Sequence, residues 1–163
     1  MTQLKITLVD SEPEVWRQVW VPAEFTLSAL HGVIQCAMGW ENLSDYQFAL
    51  GVGQMPLETQ TQVGALAEQS GIFYYTYDAQ SGWLHRIEVE TASSELSGTP
   101  VCMDGSAACP PEGSGGVWGY DELLARLENT DDPEYLDLIE KYGSFDPDRF
   151  DLDAANKRLQ SQQ

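Results

Sequence analysis

VCMDGSAACPPEGSGGVWGY, residues Val101 to Tyr120, is the stretch that divides this chain. It carries two of the three cysteines, a Pro-Pro step, five glycines and the aromatic pair Trp118 and Tyr120. No regular element runs through Cys109-Pro110-Pro111, because proline lacks the amide donor and constrains the residue before it. Upstream, apolar residues recur with a period of two; downstream they recur at helical spacing. The chain therefore reads as sheet-rich first and helical after. The expected arrangement is one domain over 1–163. It has a sheet-rich part at 1–100, a loop at 101–120 and an acidic helical part at 121–163. Cysteines and aromatics argue against a simple linker. The loop therefore reads as a clasp in which Trp118 and Tyr120 anchor the first acidic helix to the core.

Gln3 to Val9 alternates Leu4, Ile6 and Leu8 with Lys5 and Thr7, the period of a half-buried strand. After the turn at Asp10 to Pro13, Val15 to Val21 sets Val15, Val19 and Val21 on one face and Trp16, Gln18 and Trp20 on the other. Arg17 shares the valine face, and its guanidinium is expected near the edge, reaching a carboxylate or solvent. Thr26 caps a helix in which Leu27, Leu30, Val33, Ile34, Ala37 and Met38 form the stripe and Gly39 the stop. Cys36 reads as a small core residue and His31 as a structural histidine at the stripe's border. Tyr46 to Val52 is strand-like. Gly51 to Gly71 is weakly patterned and is expected to be loops with a short strand or turn. Ile72 to Tyr77 and Trp83 to Glu90 make a second hairpin, with His85 on its apolar face, where it needs a hydrogen-bond partner.

Beyond the loop, Tyr120, Leu123, Leu124 and Leu127 predict a short amphipathic helix. Asp132-Pro133 predicts a cap for a second, striped by Tyr135, Leu138, Ile139 and Tyr142 and stopped by Gly143. Asp146-Pro147 repeats the pattern, and Asp151 caps a last helix with Leu152, Ala155 and Leu159. The chain carries 26 acidic and 8 basic residues, a net charge of −18. Half of that excess, −9, falls between Asp121 and Asp153, where 12 acids face only Arg126, Lys141 and Arg149. Such a field disfavours direct contact with nucleic acid or anionic membranes and attracts basic protein surfaces. The absence of a long apolar run or a signal-like start, with an odd cysteine count, predicts a reduced cytoplasmic protein.

Five separated stretches together resemble one family: PEVWRQVWVP (Pro13–Pro22), LHGVIQCAMGW (Leu30–Trp40), YTYD…GWLHRIEVE (Tyr75–Glu90), CPPEGSGGVWGYDELL (Cys109–Leu124) and SFDPDRFDLDAANKRL (Ser144–Leu159). Their order and spacing are similar to the plasmid pRiA4b open-reading-frame-three-like family, also described as an insertion-element passenger protein. The resemblance implies a compact α+β domain with a ubiquitin-like β-hairpin–helix start and a mixed or antiparallel sheet. It also implies a place on plasmids, mobile elements and bacterial chromosomes, but no defined activity. Where the family carries a histidine-rich stretch, this chain has Ser44-Asp45-Tyr46-Gln47-Phe48. Where many members have a third loop cysteine, it has Ser114. Both departures remove candidate metal ligands.

A zinc site needs four ligands, and Cys102, Cys109 and His85 supply at most three. A nucleophile at Cys109 or Ser106 beside His85 would need a lowered pKa, which so acidic a chain does not favour. GxSxG, HExxH, Walker and CxxC motifs are all missing, and no cofactor is expected. The reading that remains is a non-enzymatic acidic module binding a basic partner, such as a nucleic-acid-handling protein, with DNA mimicry as its sharpest form. Its contact residues are expected to be Asp121, Glu122, Asp131, Asp132, Glu134, Asp137 and Glu140. The alternative is a small metal-binding or hydrolase-like enzyme built on the Cys102/Cys109/His85 region.

Overall fold

The chain forms six strands and five helices in a computed structural model that describes residues 1–162; Gln163, the end of the acidic part, lies outside them. β1 (Thr2–Leu8) and β2 (Trp16–Val21) form the first hairpin, and α1 (Leu27–Met38) follows. β3 (Tyr46–Ala49), α2 (Val63–Gln69), β4 (Ile72–Tyr77) and β5 (Trp83–Ala92) come next, then β6 (Val101–Ser106). α3 (Gly116–Leu127), α4 (Tyr135–Tyr142) and α5 (Leu152–Ser161) close the chain. The sheet order is β3-β4-β5-β1-β2-β6, and every pairing is antiparallel. This is the α+β class that the family resemblance implies. Among the described residues no helix is long and apolar enough to cross a membrane.

Alternation decides what each strand buries. Leu4, Ile6 and Leu8 of β1, Val19 and Val21 of β2, Phe73, Tyr75 and Tyr77 of β4, and Trp83 and Ile87 of β5 point into one core with α1. The Thr26 side chain accepts from the Ala29 amide, and Gly39 closes α1 at φ 113°, as the capping pattern requires. α2 lies inside the stretch expected to be loops. Only Val63 and Leu66 are buried on it and its N-cap makes no side-chain bond, so seven residues left too little periodic signal.

The dividing stretch is also more regular than expected. Its first six residues are β6 and its last five open α3, so the irregular part is Ala107 to Gly115. Gly116 starts α3 at φ 75°, where a Cβ would collide with the Ser81 carbonyl at the β4–β5 turn. Tyr120 is fully buried, but Trp118 is 87% exposed and anchors nothing. Two residues apart on a helix is about 200°, so only one of the pair can face the core.

Arg17 also departs from its expected place: it is 1% exposed and meets no carboxylate among the described residues. Its Nε donates to the Ala37 carbonyl at 2.8 Å, and Nη1 donates to the carbonyls of Trp16 (2.7 Å) and Ser106 (3.0 Å). Ala37 lies in the last turn of α1, where free carbonyls and the helix dipole favour a cation. Arg158 of α5 adds a second cap, its Nε donating to the Cys36 carbonyl at 2.8 Å. Phe150 covers the Arg17 guanidinium at 3.9 Å, and Gly105 leaves room for that ring, since a Cβ there would stand 2.6 Å from it. Burial draws Arg17 down only to about 10, so it stays charged at neutral pH.

Both sheet edges are covered. The Cys102 amide of β6 donates to Asn156 Oδ1 and its carbonyl accepts from Asn156 Nδ2, both at 2.9 Å. On β3, the Leu57 amide donates to the Phe48 carbonyl at 2.7 Å. Occupied edges do not invite further strands.

Candidate functional site

The acidic helical part is where the fold leaves most apolar surface unfinished. α3 presents Tyr120, Leu123, Leu124 and Leu127 along one stripe, but only Tyr120 of these is fully buried. α4 has no buried residue at all, although five of its eight positions are Tyr135, Leu136, Leu138, Ile139 and Tyr142. Leu136 is 81% exposed and Ile139 37%. Fully burying one such aliphatic is worth about 1.5–3 kcal/mol, so this hairpin forgoes several kcal/mol of available stabilisation.

An ion-pair clip ties the last turn of α3 to the turn that leads into α4. Arg126, in the last turn of α3, donates from Nε to Asp132 Oδ2 and from Nη2 to Glu134 Oε2, each at 2.8 Å. These bonds hold the Asp132 carboxyl below its usual range. Asp132 does not cap α4 from its N-cap position as expected. That position is Glu134, whose amide donates to Asp132 Oδ1, so the Asp-Pro pair shapes the turn before the helix. Asp146-Pro147 likewise makes a turn, with the Asp148 amide donating to Asp146 Oδ1, and no helix follows directly.

The clip leaves an open groove of about 390 Å³ between α3, the end of α4 and the residues after it. Leu124, Leu127, Ile139, Tyr142, Phe145 and Pro147 line it, together with Pro13 of the β1–β2 connection and the carboxylates Glu128 and Asp148.

Of the seven carboxylates expected to make contacts, Asp132 and Glu134 are occupied by Arg126. Asp121 and Glu122 on α3, Asp131 in the turn, and Asp137 and Glu140 on α4 are exposed and enter no ion pair among the described residues. The groove itself was not foreseen. Its signal was present in the sequence: two short consecutive helices hold more leucine, isoleucine and tyrosine than one packing seam can bury.

The cysteine–histidine region is organised differently. Cys102 Sγ donates to the Asp104 carbonyl and Cys109 Sγ to the Pro110 carbonyl, each at 3.5 Å. Burial pushes both thiols up, against the lowering influence of Arg17. His85 is fully buried, with Nδ1 2.9 Å from the Trp83 carbonyl and 3.3 Å from that of Tyr75, so the neutral ring carries its proton on Nδ1. Its Nε2 has no partner among the described residues. Desolvation lowers His85 to about 4, helped by the positive charge of Arg17. Among the described residues, no three His, Cys, Asp or Glu side chains stand together as a metal-holding group, so Cys102, Cys109 and His85 are not brought into one.

His31 is a second buried histidine, held in a closed ring of hydrogen bonds. Gln35 Nε2 donates to the Tyr75 hydroxyl (2.9 Å), and that hydroxyl donates to His31 Nδ1 (2.8 Å). His31 Nε2 donates to Asn42 Oδ1 (2.8 Å), and the Asn42 amide donates to Gln35 Oε1 (2.8 Å). Tyr46 stacks on the imidazole at 3.7 Å. Every member is satisfied with a neutral ring, and desolvation lowers the histidine's pKa accordingly. Glu112 of the Pro-Pro-Glu turn reaches the same loop, accepting from the Tyr77 hydroxyl (3.0 Å) and the Glu41 amide (2.8 Å). These networks hold α1, β4 and the irregular loop together.

Comparison with known proteins is consistent across the chain. Residues 1–154 match the family described as plasmid pRiA4b ORF-3-like protein. The uncharacterized protein y4hQ of Sinorhizobium fredii (strain NBRC 101917 / NGR234) is 34% identical over 171 residues, covering 96% of this chain and 86% of the relative. The crystal structure of the protein of unknown function MM3350 from Methanosarcina mazei Go1 superposes with a TM-score of 0.79 at 27% identity, covering 93% of this chain and 95% of that one.

Proposed function

The chain belongs to the plasmid pRiA4b ORF-3-like family, and from that premise we propose that it is a non-enzymatic binding module whose acidic helical hairpin engages a basic protein. The observation that carries this reading is the pairing of five free, exposed carboxylates with a helical hairpin that buries little of its own apolar surface. A carboxylate face speeds encounter with a basic surface and fixes orientation, while apolar contact supplies the affinity that persists once salt screens the charges. Nucleic-acid-handling proteins are the partner class with the required basic surface. Mimicry of a nucleic acid would use carboxylates alone, so the open groove favours protein recognition with an apolar component. Against the hydrolase-like alternative stand the thiols of buried Cys102 and half-buried Cys109, both pushed up by desolvation, and a histidine held neutral by its surroundings.

The test is capture of partners by the purified chain at about 0.05 M and 0.5 M salt. It is set beside a variant carrying Asp121→Asn, Glu122→Gln, Asp131→Asn, Asp137→Asn and Glu140→Gln. The reading expects a defined basic protein retained by the parent at low salt and lost from the variant. Equal retention by parent and variant would remove the acidic face from the account.

A further inference from the structure

The apolar lining of the groove between α3 and α4, and the negative charge of the segment around it, together narrow its occupant. We infer that the groove seats the apolar face of a basic amphipathic helix from the protein partner; this rests on the binding-module reading and sharpens it. The groove is lined by aliphatic and aromatic side chains from both helices and the segment after them, Leu124 and Leu127 of α3, Ile139 and Tyr142 of α4, then Phe145 and Pro147. At about 390 Å³ it accepts a short row of apolar side chains, the i, i+3, i+4, i+7 anchors of helix-in-groove recognition. Two carboxylates, Glu128 and Asp148, stand among its lining residues, in a segment of net charge −9. An occupant must therefore be apolar on one face and basic on its flanks.

Other occupants fit less well. A second copy of this chain would bring one −9 segment against another, and that repulsion works against a symmetric contact through this face. The chain's own basic residues number only 8; Arg17, Arg126 and Arg158 are already engaged with carbonyls or carboxylates, and Lys5 and Lys141 lie over aromatic rings. Both sheet edges are covered, so strand addition does not compete with the groove as a docking mode.

The experiment uses the full chain and two fluorescent peptides of identical leucine–lysine composition. In one, the leucines fall at i, i+3, i+4 and i+7; in the other the order is scrambled so that no apolar face forms. Anisotropy titrations are run at low and high salt, with sedimentation of the chain alone in parallel. The expected result is that the amphipathic peptide binds at least about tenfold more tightly than the scrambled one. The preference should persist at high salt, and Leu127→Ser with Ile139→Ser should reduce it to the scrambled level without changing the salt dependence. Circular dichroism and urea unfolding establish that the variant is folded, and the two-peptide comparison on the parent chain decides the matter if it is not. Equal, salt-sensitive binding of both peptides would overturn the groove while leaving the acidic face standing. Binding of neither at low salt would overturn both readings. Dimerisation of the chain alone that Leu127→Ser abolishes would assign the groove to a second copy and overturn the inference.

Discussion

Acidification from pH 7.5 to pH 5 is expected to cost this protein about 2 kcal/mol of folding stability through His85 alone. The folded chain holds His85 near 4, against about 6.5 for an unfolded-state histidine. Between those values the unfolded chain binds a proton that the folded one refuses, so stability falls as pH drops. The contribution is fully present above 6.5 and fully lost below 4. Across the whole window 2.5 pK units correspond to about 3 kcal/mol, of which about 2 kcal/mol is lost by pH 5. His31 acts with the same sign, because its pKa is also lowered and its hydrogen-bond ring closes around the neutral imidazole. Ordinary carboxylates take up protons mainly below about pH 5, so the interval from 7 to 5 isolates the imidazoles. The assay is urea unfolding followed by fluorescence of the five tryptophans at half-unit pH steps, for the parent and for His85→Leu. The leucine variant should lose most of the slope between pH 6.5 and 5. A parent curve flat to within about 0.5 kcal/mol, or an undiminished slope in His85→Leu, would refute the account of His85 as a neutral, desolvated core residue.

Two substitutions check the structural corrections. Arg17→Lys keeps the charge but cannot reproduce a fork donating to Ala37, Trp16 and Ser106, so a loss of about 2–4 kcal/mol is expected in urea unfolding at pH 7.5. Trp118→Ala removes a side chain that is 87% exposed and should change unfolding free energy by no more than about 0.5 kcal/mol, whereas a core anchor would cost several.

The elements visible in the sequence were those whose own periodicity decides their burial. β1, β2, β4, β5 and α1 each carry a face that sorts by a period of two or 3.6, and Thr26 and Gly39 mark α1's ends with side-chain and backbone chemistry. What escaped depends on contacts distant in sequence. Arg17 looked misplaced on an apolar face because its acceptors are carbonyls 20 and 89 residues away, at a helix terminus and in an edge strand. The pair Trp118 and Tyr120 could not be sorted until the start of α3 was known, since that decides which of them turns inward. The candidate groove was hidden for a related reason. A stripe of leucines predicts burial, and nothing local tells a stripe that meets a core from one that meets solvent.

That distinction also separates two regions of the molecule in their chemistry. The cysteine–histidine region has the residue types of a reactive site but the physics of a closed one. Its thiols are held up by burial, its imidazole is held neutral, and the nearest cation, Arg17, spends its donors on backbone carbonyls. Groups in that condition rest in their neutral forms at neutral pH. The acidic hairpin has the opposite character. Arg126 secures its turn with two carboxylates, the hairpin's six others enter no ion pair among the described residues, and the apolar stripes of α3 and α4 remain half open. A segment that satisfied only its own stability would bury those stripes against the sheet, as α1 does. Leaving them at the surface is costly for the isolated chain, and docking of a basic, amphipathic partner would recover that cost.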